Sequence, residues 1–176
     1  QYLHDKYKSK QDIYEFTGIV VEEITRLERY LNEFLSFSRG VKPHMKKHDI
    51  QTFTTGILMI TKHNFPYGIK IVSEKPKLPD VYMDAEQMKQ VMVNLLNNAK
   101  DATAGRSSPR VEIRLSSDDR YVYVKVADNG CGISKKDLSR ISTPFYTTKK
   151  EGMGIGLAIS RSIIKKHGGD LSIESK

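Results

Sequence analysis

The sequence predicts an α+β protein: a two-layer α/β sandwich, with helices on one face of a sheet, preceded by an N-terminal bundle helix. Three observations carry this. Apolar residues recur at steps of three and four over the first forty positions. Two period-2 runs follow one another at 110–115 and 121–127. Stretches of helical spacing stand before and after those runs.

The first helix has a capping signature at Ser9 and Asp12. Its seam is Ile13, Phe16, Val20, Ile24, Leu27, Leu31 and Phe34, with Glu22, Glu23, Arg26, Glu28 and Arg29 on the other faces. Gly18 weakens it by about 1 kcal/mol relative to alanine. Arg39-Gly40 and Pro43 end it. Such a seam needs a partner, so a bundle or dimer face is expected. Residues 43–48 read as a polar linker, 49–64 as a helix and 68–73 as a strand. Pro76 and Pro79 break the chain. Asp84 then caps a helix through Met88, Val91, Met92, Leu95, Leu96 and Ala99. Ser117-Asp118-Asp119 turns between the two period-2 runs, and Val122, Val124 and Val126 share one face. A helix over 155–167, a turn at His167-Gly168-Gly169 and a strand over 171–174 complete the series. The strands are expected to run antiparallel.

Composition excludes several classes. At 176 residues the chain has room for one good core and an appendage. No run approaches the ~18 apolar residues of a membrane helix and no secretory signal opens the chain, so no direct membrane contact is expected. The one cysteine, Cys131, makes no internal disulfide, which suits a reducing cytosol. His44 and His48 do not make a zinc set. The net charge of +8 comes from scattered lysine pairs without an arginine stripe or interleaved aromatics. That is a solvated surface, and no nucleic-acid partner is expected.

Four motifs carry chemistry. In Asn94-Leu95-Leu96-Asn97-Asn98-Ala99-Lys100-Asp101-Ala102, residues Asn94, Asn98 and Asp101 share one helix face. Asparagine is a poor helix former, so a solvated stripe is one reading and oxygen ligation of Mg²⁺ held by phosphates is the other. Asp128-Asn129-Gly130-Cys131-Gly132-Ile133 leaves an apolar strand. Its carboxylate can accept from a ligand amino group, although Asp-Asn-Gly is equally a common turn. Phe145-Tyr146-Thr147-Thr148-Lys149 is third. The fourth is Gly152-Met153-Gly154-Ile155-Gly156-Leu157, a glycine-rich loop opening a helix, which presents free N–H groups to an anion. It lacks the Lys-Ser/Thr ending of a P-loop.

In this order and spacing the four resemble the N, first glycine, F and second glycine boxes of sensor histidine kinases of two-component systems. The ATP-binding domain of those kinases belongs to a superfamily shared with gyrase B, Hsp90 and MutL. The resemblance spans about residues 20–174. It takes in Glu22 to Leu27 with Phe34 to Arg39, similar to the second helix of the dimerisation and phosphoacceptor domain. It also takes in Leu78-Pro79-Asp80-Val81 and His167-Gly168-Gly169-Asp170-Leu171. It implies a Bergerat ATP-binding fold over 49–176, lacking its last strand, joined by the 43–48 linker to a bundle helix over 1–42. The implied cofactors are ATP and Mg²⁺. Asn98 is the implied Mg²⁺ ligand, with Asn94 beside it, and Asp128 the acceptor for the adenine amino group. Gly130 and Gly132 leave room for the base, and Ile133 lines its pocket. Gly152, Gly154, Gly156 and Leu157 form the lid and helix start at the phosphates, with Thr148, Lys149 and Asp101 near them. Phe145 packs to order the lid. Asn94 stands where the related ATPases carry a general-base glutamate, which favours phosphotransfer over hydrolysis.

The implied function is transfer of the ATP γ-phosphate to a histidine and thence to a response-regulator receiver domain. A homodimer through the N-terminal helix is implied, in the cytoplasm, within a parent that can carry a membrane anchor elsewhere. The family's acceptor motif, a histidine followed by acidic, apolar, basic and polar residues and proline, does not occur. His4-Asp5-Lys6-Tyr7 lacks the apolar position and the proline. The chain by itself is therefore not expected to autophosphorylate. Ser142-Thr143 replace the usual aromatic-acidic pair, and Asp101 stands where many relatives have lysine. The alternatives are an inert nucleotide-binding interaction module and a serine-kinase anti-sigma-like protein, which would lack the bundle helix.

Overall fold

The computed structural model describes residues 13, 15–25, 27, 28, 42–149 and 152–175. The chain divides into two units, Gln1–Gly40 and Val41–Lys176. In the first, the described residues between 13 and 28 are helical, as the seam predicts. Ile13, Val20, Ile24 and Leu27 of that seam are exposed in the single chain. Ser9, Asp12, Leu31, Phe34 and Arg39-Gly40 lie outside the described residues.

The second unit contains a three-stranded sheet, a two-stranded sheet and the helices packed on them. Strand β1 (Lys46–His48) comes first, then helix α1 (Ile50–Thr61). Asp49 caps α1 by accepting from Thr52 N at 2.6 Å. Its buried stripe, Ile50, Thr54, Ile57 and Thr61, follows helical spacing. The two threonine hydroxyls are satisfied by the Ile50 and Ile57 carbonyls one turn back. A 3₁₀ turn over Lys62–Asn64 ends the segment expected as helix over 49–64.

Two expectations about pairing are corrected. Strand β2 (Lys70–Ser73) runs parallel, not antiparallel, to β4 (Val111–Ser117), in the register Lys70↔Glu112 to Ser73↔Leu115. Between them lie β3 (Val81–Met83) and the nineteen-residue helix α2 (Ala85–Thr103), a crossover long enough for parallel strands. Part of the expected 43–48 linker is β1, which pairs antiparallel with β3. Three polar residues cannot display alternation. They are placed by Lys47 meeting Asp80 at 3.2 Å and by the buried Met83 opposite Lys46.

Strands β4 and β5 (Val122–Asp128) form the expected hairpin, from Val111↔Asp128 to Ser117↔Val122. Asp118 closes its turn by accepting from Arg120 N and Tyr121 N, both at 2.7 Å. Val111, Ile113 and Leu115 are buried and Val122, Val124 and Val126 pack beside them, while Arg114, Tyr123 and Lys125 are exposed. Helices thus cover one face of the sheet. Against it lie Ile50 and Ile57 of α1 and Met92, Leu96 and Ala99 of α2. A second core joins Val91 of α2 to Ile155, Ile159 and Ile163 at helix α4 (Gly156–Lys166). Helix α3 (Lys135–Leu138) is short and was not anticipated. Residues 171–174, expected as a strand, show burial alternation but no ladder. Just beyond them, Ser175 Oγ accepts from Ile133 N at 2.8 Å.

Asp84 joins the unit's parts. Its carboxylate accepts from Glu86 N and Gln87 N at 3.1 Å and from His44 N at 2.8 Å. Its own N–H donates to His167 Nε2 at 2.9 Å, and His167 Nδ1 faces the Ile163 carbonyl at 2.8 Å, so Nδ1 carries the proton. The His44 amide, then that of Gln87, holds the Asp84 carboxyl below the usual aspartate range. A depressed folded value stabilises above the unfolded value, and that contribution is lost as pH falls through the folded one. Asp84→Ala is expected to cost about 1 kcal/mol in urea unfolding at pH 7. The wild-type advantage should shrink below pH 4, and a pH-independent difference would contradict the assignment.

Candidate nucleotide-binding site

Helix α2 uses two of its faces for packing, and the third carries Asn94, Asn98 and Asp101. The structure brings Asn94 to α4 and the other two to the loop that precedes it. Asn94 Nδ2 donates to Ser160 Oγ at 2.9 Å. Lys149 Nζ donates to Asn98 Oδ1 at 2.7 Å and to Asp101 Oδ2 at 2.6 Å. Two side-chain oxygens on one helix face thus converge on a cation, here the chain's own ammonium group. The Lys149–Asp101 pair is about half exposed, so it is a weak latch.

The loop after β5 reaches α2 through its backbone. Cys131 N donates to the Ala102 carbonyl at 3.0 Å. A Cβ on Gly130 would stand 2.5 Å from that oxygen, a separation that real Cβ atoms do not adopt. On its Cβ side Gly130 thus abuts Ala102, which is why a glycine is required there. Arg106 Nη2 donates to the Gly130 carbonyl at 2.6 Å. Gly132 has φ +74°, the left-handed conformation that favours glycine. Asp128 is exposed at the end of β5, and one carboxylate oxygen accepts from Gly130 N at 2.8 Å. Ile133 follows, half-buried.

The lid is closed at its base. Phe145 N donates to the Gly154 carbonyl at 3.0 Å. Gly154 has φ +68°, and a Cβ there would stand 2.4 Å from the Tyr146 carbonyl oxygen. Phe145, expected to pack, is instead 62% exposed with φ 66°. Its neighbour Tyr146 does the anchoring. The Tyr146 hydroxyl bonds Asp137, and the Arg140 guanidinium lies 4.3 Å from its ring centroid. Asp137 is held low by the Tyr146 hydroxyl first and Ser134 second, and Tyr146 is raised by Asp137. Reading the sequence missed Asp137, Arg140 and Ser160. Ser134 followed by Asp137 is a capping signature that could have located α3.

Thr148 is exposed, and Gly152 lies near Thr147 Oγ1. Leu157 is half-buried in the first turn of α4. The N-cap of α4 is Ile155, and among the described residues no side-chain capping bond is made there, which leaves its first N–H groups available as donors. Among the described residues no group of three His, Cys, Asp or Glu can hold a metal. An all-protein cage is therefore not offered. A hard cation taking one or two protein oxygens and completing its shell with phosphates does fit Asn98 and Asp101, where an ammonium already sits.

A mixed sheet backed by helices, an asparagine-bearing helix and a glycine-hinged lid define a nucleotide-binding α+β domain. The family model of histidine kinase-, DNA gyrase B- and HSP90-like ATPases matches residues 83–176, and the chain belongs to that family. It is homologous to sensor histidine kinases. It is 31% identical over 163 residues to the signal transduction histidine-protein kinase AtoS of Escherichia coli, covering 92% of this chain and 27% of that protein. It is 29% identical over 172 residues to a putative sensor histidine kinase NtrY-like of Rickettsia felis, covering 96% and 28%. The chain thus spans under a third of these relatives. Among solved structures, histidine kinase ThkA in complex with response regulator protein TrrA shares the fold, with TM-score 0.75, 23% identity and coverage of 93% and 47%. So does full-length ShkA in complex with AMPPNP, with TM-score 0.76, 22% identity and coverage of 94% and 36%.

The ammonium bridge makes a prediction about the lid without ligand. Lys149→Met should speed amide exchange over 144–149 and 152–155 roughly two- to fivefold, as expected for a half-exposed pair worth about 0–1 kcal/mol. Asp101→Asn should act in the same direction, and adding it to Lys149→Met should change little. Equal, independent effects of the two would show that they do not form one latch.

Proposed function

We propose that this chain binds ATP with Mg²⁺ and presents the γ-phosphate for transfer to a histidine, as the catalytic part of a two-component sensor kinase. The observation that carries this is the convergence of Asn98 and Asp101 oxygens on a cation near the uncapped start of α4. In this reading Asn98 holds Mg²⁺, which neutralises phosphate charge when bound. The open N–H groups at Gly156 and Leu157 take phosphate oxygens, with Gly152 and Gly154 bending the lid over them. Lys149, released from Asn98, is a second positive charge for the phosphates, and Thr148 stands beside it. Asp128 accepts from the adenine amino group while Ile133 borders the base. Transfer to a histidine depends on in-line placement and charge neutralisation more than on a base for water, and an asparagine at 94 takes no proton.

The regulator partner is supported by the ThkA–TrrA complex and the nucleotide by the ShkA complex with AMPPNP. The exposed seam at Val20, Ile24 and Leu27 supports a homodimer through the N-terminal helix. No described helix is long and apolar enough to cross a membrane. We place the accepting histidine outside His44, His48, His63 and His167, none of which carries the acceptor motif.

Calorimetric titration with ATP, with and without Mg²⁺, tests the reading. Wild type should bind and gain affinity from Mg²⁺, and Asn98→Ala should lose most of that gain, roughly tenfold or more (about 1.4 kcal/mol). Wild type that fails to bind ATP would defeat the proposal. Binding without transfer to a supplied first bundle helix would leave an inert nucleotide module instead.

A further inference from the structure

The interface between α2 and α4 is apolar apart from one hydrogen bond recorded among the described residues. Val91, Ile155, Ile159 and Ile163 are buried there, with Leu95 and Met153 packed against them. Within this setting Ser160 is 1% exposed, and its Oγ accepts from Asn94 Nδ2. One turn earlier Gly156 opens the helix, and a Cβ there would stand 2.3 Å from Asn94 Oδ1 and 2.9 Å from its Cγ. The Asn94 carboxamide therefore lies along the first turn of α4, its oxygen end at Gly156 and its amino end at Ser160.

We propose that Asn94 is a positioning residue: through Gly156 and Ser160 it sets the register of α4 on α2, so that the open helix start and Asn98 address the same phosphates. This rests on the nucleotide reading above. Apolar side chains tolerate sliding between helices, whereas a buried hydrogen bond is satisfied at one register only. Rotating or shifting α4 leaves the Ser160 hydroxyl and the carboxamide unpaired in apolar surroundings. Asn98 follows Asn94 by four residues, so one turn of α2 separates the clamp from the ligand oxygen. Glycine at 156 is the counterpart, because any Cβ there displaces either the helix or the carboxamide. The third glycine of the lid motif is thus accounted for by a contact inside the protein. Asn94 acts through α4 and needs no contact with the nucleotide.

Mg·ATP affinity, measured by calorimetry on Asn94→Ala, Gly156→Ala, Ser160→Ala and the doubles with Asn94→Ala, tests this, with thermal unfolding run alongside to confirm folded protein. Each single substitution should weaken binding about five- to thirtyfold. Asn94→Ala combined with Gly156→Ala should bind several times more tightly than Gly156→Ala alone, since the clash is gone. Ser160→Ala should add nothing once Asn94 is alanine. Losses from Asn94→Ala that are the same whatever stands at 156 and 160 would mean direct contact with the nucleotide, and would overturn the proposal. If Gly156→Ala does not fold, Ser160→Ala decides alone, since it deletes one buried oxygen: unchanged affinity overturns the clamp. Wild type that binds no nucleotide overturns the functional reading and this one together, whereas wild-type binding with additive substitutions overturns only this one.

Discussion

Packing of α2 between the sheet and α4 is the constraint on which the site depends. One stripe of the helix, Met92, Leu96 and Ala99, enters the core formed with Ile113 and Leu115. A second, centred on Val91, meets Ile155, Ile159 and Ile163. A helix has no third direction left except the one that carries Asn94, Asn98 and Asp101. Burial of the two apolar stripes, each side chain contributing about 1.5–3 kcal/mol, holds that polar face in place. Asn98 and Asp101 are carried into place by that packing, whereas Asn94 also engages Ser160 of α4.

The loops complete the site by approaching α2 closely, and glycine makes this possible twice. At Gly130 the strand-end loop sits on the Ala102 carbonyl, and at Gly156 the start of α4 sits on the Asn94 carboxamide. The lid base is pinned by the Phe145–Gly154 backbone bond and by Tyr146 against Asp137 and Arg140. Its far part touches α2 through a solvent-exposed ammonium group. A fixed base and a weakly held tip make a hinged cover, unlike the rigid cradle of a P-loop.

Much of this was legible in the sequence, and the misses have physical causes. The longer helices, the hairpin and the Asp84 cap were readable because periodicity and capping are local, whereas the four residues of α3 are too few to show a period. The parallel pairing of β2 with β4 was not, because strand direction depends on where a crossover of about forty residues returns the chain. Strand β1 was missed because Lys46, Lys47 and His48 are polar and too few to alternate visibly. Residues 171–174 alternate as a strand does, yet alternation records burial and not hydrogen bonding. The resemblance grouped α2, the Asp128 loop and the lid, and the structure has Cys131 touching Ala102 and Lys149 touching Asn98 and Asp101. The motifs could not show that Gly130 abuts Ala102, that Tyr146 anchors in place of Phe145, or that Ser160 engages Asn94. Those depend on side chains distant in sequence.

The claim that the polar face of α2, the Asp128 loop and the start of α4 form one nucleotide site is tested most directly by amide chemical-shift mapping during titration with Mg²⁺ and ATP. The account predicts saturable shifts that share one dissociation constant at Asn98, at residues 128–133 and at residues 152–157. Shifts confined to the opposite end of the sheet, around Lys75, Lys77 and Ser117, would contradict it. So would shifts at the three segments that saturate at different concentrations.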